Sequence, residues 1–173
     1  MRIGTAQEAS IFFQEAELSL EEAKDGRGAF DPESATITGT IGGGHPFALA
    51  TLLCEALAGR RSCVLINEFG IWPSTEDRNL FGHFRRSFDQ RSLWEAPAHF
   101  FDPGIHANLV TLVHLAIHFG WGVIAVSEPS EERFMLDHDG HLAIWCREAK
   151  DEWYRQELLD RRVDVDSPAQ RKH

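Results

Sequence analysis

Two short segments of the 173-residue chain are apolar at nearly every position, and they constrain its fold more than any other feature. Residues 62–69 read SCVLINEF, and residues 121–127 read WGVIAVS. A strand with one face in water alternates apolar and polar residues, whereas a strand that is buried on both faces does not. Both segments are therefore predicted to be central strands with helices packed on the sheet, which favours an α/β fold.

Amphipathic segments separate these strands. One apolar stripe begins at Pro46 and stops near Gly59, a second covers residues 74–88, and residues 105–119 are almost wholly apolar. Asp139-Gly140 lies between two alternating segments, which is typical of a β-hairpin turn. Because helices alternate with strands, we expect an α/β protein with a single mixed β-sheet of about five strands, flanked by helices, and a β-hairpin near the C-terminus.

The formal net charge of −10 is unevenly distributed along the chain. Residues 1–33 contain eight acidic and three basic residues, so this segment carries half of the total. We therefore divide the chain into an acidic helical segment at 1–33, an α/β core domain at 34–160 and a flexible tail at 161–173. Negative charge attracts basic protein partners, whereas nucleic-acid binding requires a basic surplus. We expect a basic protein partner and no nucleic acid.

The sequence also predicts the compartment. No stretch approaches the ~20 apolar residues of a membrane span, and the acidic N-terminus is not a signal peptide. The three cysteines are scattered and form no disulfide framework and no C-x-x-C pair. His114 and His118 have the i, i+4 spacing of a zinc site, but they lie in the polar strip of an apolar helix. We expect a cytoplasmic protein with no membrane contact, metal or cofactor.

Candidate catalytic residues follow the predicted strands. Glu68 ends the first apolar segment and Glu128 follows the second, so parallel pairing would bring both carboxylates to one edge of the sheet, where ligands bind. His99 lies in the irregular segment 94–101, and His138 lies in the hairpin turn. A carboxylate and an imidazole are suited to general acid–base catalysis. Glu68, His99 and His138 are therefore candidate catalytic residues if the fold brings them together.

A glycine run provides a candidate binding loop. Gly42, Gly43 and Gly44 lie between a predicted strand and a predicted helix, where backbone N–H groups can hold an anion. No Gly-Lys-Ser/Thr follows, which excludes a Walker A loop. Phe47 stands at the third glycine position of a dinucleotide fingerprint, so the match to that motif is incomplete. A plain turn between strand and helix is the alternative.

Four motifs occur in order through the middle of the chain. They are Glu68-x-Gly70-x-Trp72-Pro73-Ser74, Glu95-x-Pro97-x-His99-x-Phe101, Phe119-Gly120-Trp121 and His138-Asp139. Together they resemble a family of small uncharacterised bacterial proteins over roughly residues 46–146. The resemblance implies no activity and no cofactor. It adds further residues to consider beside the catalytic candidates, and we take as candidate binding residues Trp72, Ser74, Glu95 and Asp139.

Three functions remain open. The compact size, the acidic charge and the absence of a complete catalytic motif favour a non-enzymatic protein-interaction domain of an adaptor, antitoxin-like or immunity-like kind. The alternative is a small hydrolase or metal-dependent enzyme with a site at the strand ends around Glu68, His99 and His138. The third is a nucleotide or anion binder that uses Gly42–Gly44. The sequence leaves the oligomeric state open.

Overall fold

A computed structural model of the chain describes residues 1–42, 44–69, 75–104 and 106–166, with the backbone alone at 75–78. The strands in these ranges are β1 (Arg2–Gly4), β2 (Ile37–Ile41), β3 (Arg61–Asn67), β4 (Ala98–Phe101), β5 (Gly122–Glu128), β6 (Arg133–Leu136), β7 (His141–Trp145) and β8 (Val163–Val165). The helices are α1 (Ala6–Glu15), α2 (Leu20–Asp25), α3 (Pro46–Leu57), α4 (Thr75–Arg86), α5 (His106–His118) and α6 (Asp151–Asp160).

In the described part of the chain, one eight-stranded sheet has the order β1-β4-β3-β5-β6-β7-β2-β8. All its neighbouring strands are antiparallel. The prediction of an α/β protein with one sheet and flanking helices is confirmed. The prediction of about five strands in a mixed sheet is wrong. The described residues form three further strands of three or four residues each, and no parallel pair occurs among them.

The strand β4 explains the wrong strand direction. It comes between β3 and β5 in the sequence and pairs with β3 on one side, while β5 pairs with β3 on the other. A single helical crossover would make β5 parallel to β3. The additional strand β4 turns the chain around once more, so β5 runs antiparallel to β3. As a result Arg61 lies opposite Glu128, and Asn67 lies opposite Gly122. Glu68 and Glu128 thus lie at opposite ends of the sheet, not at one edge.

Several local predictions are confirmed. Both apolar segments are strands whose central residues are buried. Helix α3 begins at Pro46, whose fixed φ and missing N–H suit the first helical position. Strands β6 and β7 form the predicted hairpin, and Gly140 in its turn has a φ of 85°. Such a positive φ is easily adopted by glycine and rarely by other residues.

The larger of two apolar cores lies between the sheet and helices α3 and α5, which pack on the same face. Leu52 and Leu53 from α3 and Leu112 from α5 are almost fully buried against strand residues such as Val64 and Phe134. Each such side chain stabilises the fold by about 1.5–3 kcal/mol relative to an exposed one. This core fixes α5, and with it the start of β5 that leads into the candidate site.

The second core covers the opposite face and contains the N-terminal segment. Phe13 in α1 and the buried Phe30 pack in one cluster with Leu65, Ile124 and Trp145 of the sheet. Strand β1 adds a further edge to the sheet beside β4. Residues 1–33, which the sequence presents as a separate acidic segment, thus contribute a strand to the sheet and apolar side chains to the second core.

The C-terminal part also joins the sheet. Strand β8 pairs with β2, although residues 161–173 were expected to form a flexible tail. Its pattern of Val163, Asp164 and Val165 is too short to signal a strand by periodicity. Residues 167–173 lie outside the described residues. No helix in the described ranges combines the length and the apolar character that crossing a membrane would require.

Candidate functional site

Three strand ends meet at one edge of the sheet. Asn67 at the end of β3 pairs with Gly122 at the start of β5, and Val123 pairs with Leu136 at the end of β6. Antiparallel pairing therefore brings Glu68, the residue after β3, to the same edge of the sheet as His138, which lies in the turn after β6.

Glu68 and His138 are in direct contact. The Glu68 Oε2 accepts a hydrogen bond from the His138 backbone N–H at 3.1 Å and lies 3.2 Å from its ring Nδ1. The His138 Nε2 lies 3.6 Å from an Asp139 carboxylate oxygen. The bond to Glu68 raises the pKa of His138, desolvation lowers it to a smaller extent, and the neighbouring carboxylates raise it further. The carboxylates thus stabilise the imidazolium form.

A glycine makes this contact possible. A Cβ at Gly122 would lie 2.6 Å from both the Asn67 Oδ1 and the Glu68 Oε2. The Glu68 side chain therefore occupies the space over β5 that a side chain at position 122 would otherwise fill. Glu68 itself has a φ of 52°, a left-handed conformation that is uncommon for glutamate. Such a conformation costs about 1–3 kcal/mol and persists only where surrounding contacts hold it. The backbone after β3 therefore directs this carboxylate toward His138.

His99 occupies a different environment. It is completely buried, and its Nε2 accepts a hydrogen bond from the Arg85 Nε at 3.2 Å. Its Nδ1 then carries the proton and lies 3.4 Å from the Val64 carbonyl oxygen. Burial, together with the Arg85 charge, lowers the pKa of His99 to about 3, so the ring is neutral near pH 7. The structure thus joins Glu68 with His138, while His99 positions Arg85.

The other predicted binding residues have mainly local contacts. Glu95 accepts hydrogen bonds from the Ser92 N–H and hydroxyl, so it closes the turn before β4. The Asp139 N–H donates to the Asp137 Oδ1, which also accepts from the His141 N–H. Asp137 therefore fixes the β6–β7 turn that presents His138. Trp72 and Ser74 lie outside the described residues.

The glycine loop has a packing role. A Cβ at Gly42 would lie 2.9 Å from the Arg162 carbonyl oxygen, and a Cβ at Gly44 would lie 2.3 Å from that of Arg161. The loop therefore lies against the backbone of the turn between α6 and β8, and only glycine permits that approach. Gly43 lies outside the described residues. Carbonyl oxygens thus occupy space beside the two described glycines.

An acidic groove lies next to the His138 turn, on the face of the sheet that carries α1 and α2. Helix α1 packs on β3 and β4, and α2 packs on α1. The groove lies beside them, over β6, β7 and β2. It has a volume of about 740 Å³. Its residues come from the end of the N-terminal segment, the middle of the sheet and the residue after β8. They are Pro32, Glu33, Thr38, Gly39, Thr40, Met135, Asp137, His141, Leu142, Ala143 and Asp166.

The charge of the acidic groove is of one sign. Glu33, Asp137 and Asp166 supply three carboxylates, and no Lys or Arg is among the described residues that line it. His141 lies 2.9 Å from an Asp137 carboxylate oxygen. The floor of the groove is uncharged and contains small residues of β2 and β7. The arrangement is therefore an open surface with a negative rim.

The sequence contains a partial signal for this groove. The segment SATITGTI alternates threonine with apolar residues, which predicts that one face of β2 is in water. The threonines Thr38 and Thr40 do lie on the face opposite the larger core, since the preceding Ile37 is buried in that core. The acidic rim could not be found in the same way, because Glu33, Asp137 and Asp166 are far apart in the sequence.

Within the described ranges, no group of three or more His, Cys, Asp or Glu side chains is placed to hold a metal ion. Comparisons of the chain with protein-family models, with curated proteins and with solved structures found no match. The function must therefore be argued from the geometry of the chain itself.

Proposed function

We propose that the chain is a non-enzymatic interaction domain that binds a basic, extended segment of a partner protein in the acidic groove. The observation that carries this proposal is the combination of three carboxylates on the rim with an uncharged, open sheet face as the floor. A partner segment with lysine or arginine at intervals could pair with the rim while its backbone lies along the floor.

The charge of the whole chain supports the same interpretation. A formal net charge of −10 produces a long-range field that attracts basic partners and speeds their encounter. The carboxylates of the rim then determine where the partner binds, because complementary charges at short range set the register and specificity of a bound segment. Interactions of exposed charges are screened at high ionic strength, so binding in this groove must weaken as salt is added.

A fluorescent peptide tests the proposal directly. The probe is a ten-residue peptide of alternating lysine and threonine, and its binding to the full chain is followed by fluorescence anisotropy at several salt concentrations. The double variant Glu33→Gln, Asp166→Asn removes two rim charges without changing the hydrogen bonds of the turn at Asp137. We expect it to weaken binding about tenfold, as the loss of two close charge contacts would do.

A matched control separates the groove from the overall charge. The double variant Glu15→Gln, Glu152→Gln removes two exposed carboxylates on α1 and α6 and has the same net charge as the groove variant. Peptide binding that is unchanged in this control and weakened in the groove variant supports the proposal. Equal weakening in both, or no binding by the unaltered chain at low salt, would refute it.

A small hydrolase is the second candidate function, and the Glu68–His138 pair favours it. In the neutral ring Glu68 accepts from the Nδ1–H, and the His138 Nε2, beside the Asp139 carboxylate, is the nitrogen that can take a proton from water. Hydrolysis of chromogenic esters or phosphoesters should then be lost in His138→Gln and retained in His141→Gln. An activity that both variants keep would exclude this pair as the catalyst.

A further inference from the structure

We propose a second binding site, independent of the acidic groove, that takes a ligand with a planar apolar body and an oxyanion group. The site is a groove of about 300 Å³ between the C-terminal half of α4 and residues 90–94, with Phe69 and Trp121 beside them. We call it the aromatic–arginine groove after the residues that define it, which are Phe69, Phe81, Arg85, Arg86, Trp94 and Trp121.

The aromatic side chains form a continuous apolar wall. The Phe69 ring centroid lies 4.4 Å from that of Trp94 and 6.5 Å from that of Trp121, and Trp121 in turn lies 4.7 Å from Phe81. Trp121 and Phe81 are buried, whereas Trp94 is 80% exposed. Tryptophan at the open side of a groove provides a flat face on which a planar ligand can stack.

Arg85 provides the charge at this wall. It is only 4% exposed, and its three nitrogens donate to the His99 Nε2, the Arg91 carbonyl oxygen and the Ala96 carbonyl oxygen. All three acceptors are neutral, and these bonds use three of the five guanidinium N–H groups. No carboxylate in the described part of the chain forms an ion pair with Arg85.

The acidic residue whose charge acts on Arg85 is Asp89, and it is already paired with Arg91. Asp89 lies 2.6 Å from the Arg91 guanidinium, and its bonds to Arg91 lower the pKa of Asp89 to about 2. The Asp89 charge therefore offsets only part of the burial cost of Arg85, which lowers the pKa of that guanidinium. An anion that reaches Arg85 would make the direct contact that no described carboxylate makes. An oxyanion fits this role best, because a guanidinium donates parallel hydrogen bonds to carboxylate or phosphate.

The sign of the charge is consistent throughout the site. Arg86 and Arg91 also line the aromatic–arginine groove, and no Asp or Glu is among its described lining residues. The chain thus carries a cationic site on the α4 side of the sheet and an acidic groove on the other face. An anionic ligand is therefore directed to the first and repelled from the second, despite the negative total charge.

Three probes with one ring system test the assignment. These are 2-naphthoate, 2-naphthyl phosphate and the neutral 2-naphthamide, each titrated into the full chain by isothermal titration calorimetry. We expect at least one of the two anions to bind about tenfold or more tightly than the amide, which is the effect of one hydrogen bond to a charged group. The comparison of the two anions identifies which oxyanion fits.

Variants of the chain locate the site. Trp94→Ala should weaken binding of the anion about tenfold, whereas Trp153→Ala, which removes a partly exposed tryptophan on α6, should leave it unchanged. Arg85→Gln should abolish the preference for the anions over the amide. If Arg85→Gln does not fold, the ligand series and Trp94→Ala decide the matter. Equal affinity for all three probes, no binding at millimolar concentration, or full binding by Trp94→Ala would overturn the proposal.

Discussion

The carboxylate of Glu68 holds both the backbone N–H and the ring of His138, which is 70 residues away in the sequence, by passing over Gly122. Neither residue belongs to a strand, yet the pairing of β3 with β5 and of β5 with β6 brings them into contact. The relationship depends on a missing side chain at position 122 and on a left-handed backbone at position 68. Both features can be tested by substitution.

Replacing Gly122 should break this contact. In Gly122→Ala the new methyl group would lie 2.6 Å from the Glu68 Oε2, so the carboxylate must move away from His138. We expect a loss of about 1–3 kcal/mol in the free energy of unfolding, as for overpacked positions, measured by urea denaturation. Gly82→Ala in α4 is the control, since its Cβ meets only the flexible end of Arg86, and it should be neutral or stabilising.

The pKa of His138 should depend on Glu68. In Glu68→Gln the charged acceptor is removed, and the pKa of His138 should fall toward its ordinary value, as measured by NMR titration of the ring. Asp139→Asn should lower the pKa less, because the bond to Glu68 is the larger cause. The protonated His138 paired with Glu68 stabilises the folded protein at pH values below the pKa that His138 has in the unfolded chain. This stabilisation is lost as the pH rises through the raised pKa of His138 in the folded protein. An unchanged titration in Glu68→Gln would contradict the contact.

His99 should make the protein sensitive to acid. Its folded pKa of about 3 is below the unfolded value near 6.5, so its contribution to stability is present above pH ~6.5 and falls as pH drops toward 3, by up to ~1.4 kcal/mol per unit. His99→Gln retains an acceptor for Arg85 but cannot titrate. The decline of unfolding free energy between pH 6.5 and 4.5 should therefore be smaller in the variant. Titration of the His99 ring signal near pH 6.5 in the folded protein would contradict this.

Two phenylalanines provide a matched test of the larger core. Phe134 is fully buried in that core, whereas Phe47 is 60% exposed and has an edge contact with His114. Phe134→Ala should lower the free energy of unfolding by about 3–5 kcal/mol, while Phe47→Ala should cost less than about 1 kcal/mol. Urea denaturation measures both, and equal effects would be inconsistent with the packing.

Removal of residues 1–33 should expose the second core. Phe13 and Phe30 cover Leu65, Ile124 and Trp145, so a chain that begins at residue 34 presents these strand residues to water. We expect increased binding of a hydrophobic dye and a loss of cooperative unfolding. A chain from 34 that unfolds with the urea midpoint of the full protein would support the alternative division into an N-terminal segment and an independent core domain.

The sequence indicated which segments are strands and helices wherever the signal is local. The unbroken apolar character of 62–69 and 121–127, the proline at 46 and the turn at Asp139-Gly140 each depend on neighbouring residues, and the structure has the corresponding elements. Short strands such as β1, β4 and β8 have too few residues to show a period, so they were missed. Those missed strands changed both the sheet size and the direction of its pairs.

The sequence by itself thus determined the α/β class and the buried strands, and it proposed Glu68, His99 and His138 as candidate catalytic residues. Only the tertiary structure decided that Glu68 meets His138 and that His99 positions Arg85 instead of joining them. The physical reason is that strand direction and register depend on how distant segments pack, and a single reversal at β4 determines which strand ends share an edge. Contacts between residues far apart in the sequence follow from that choice.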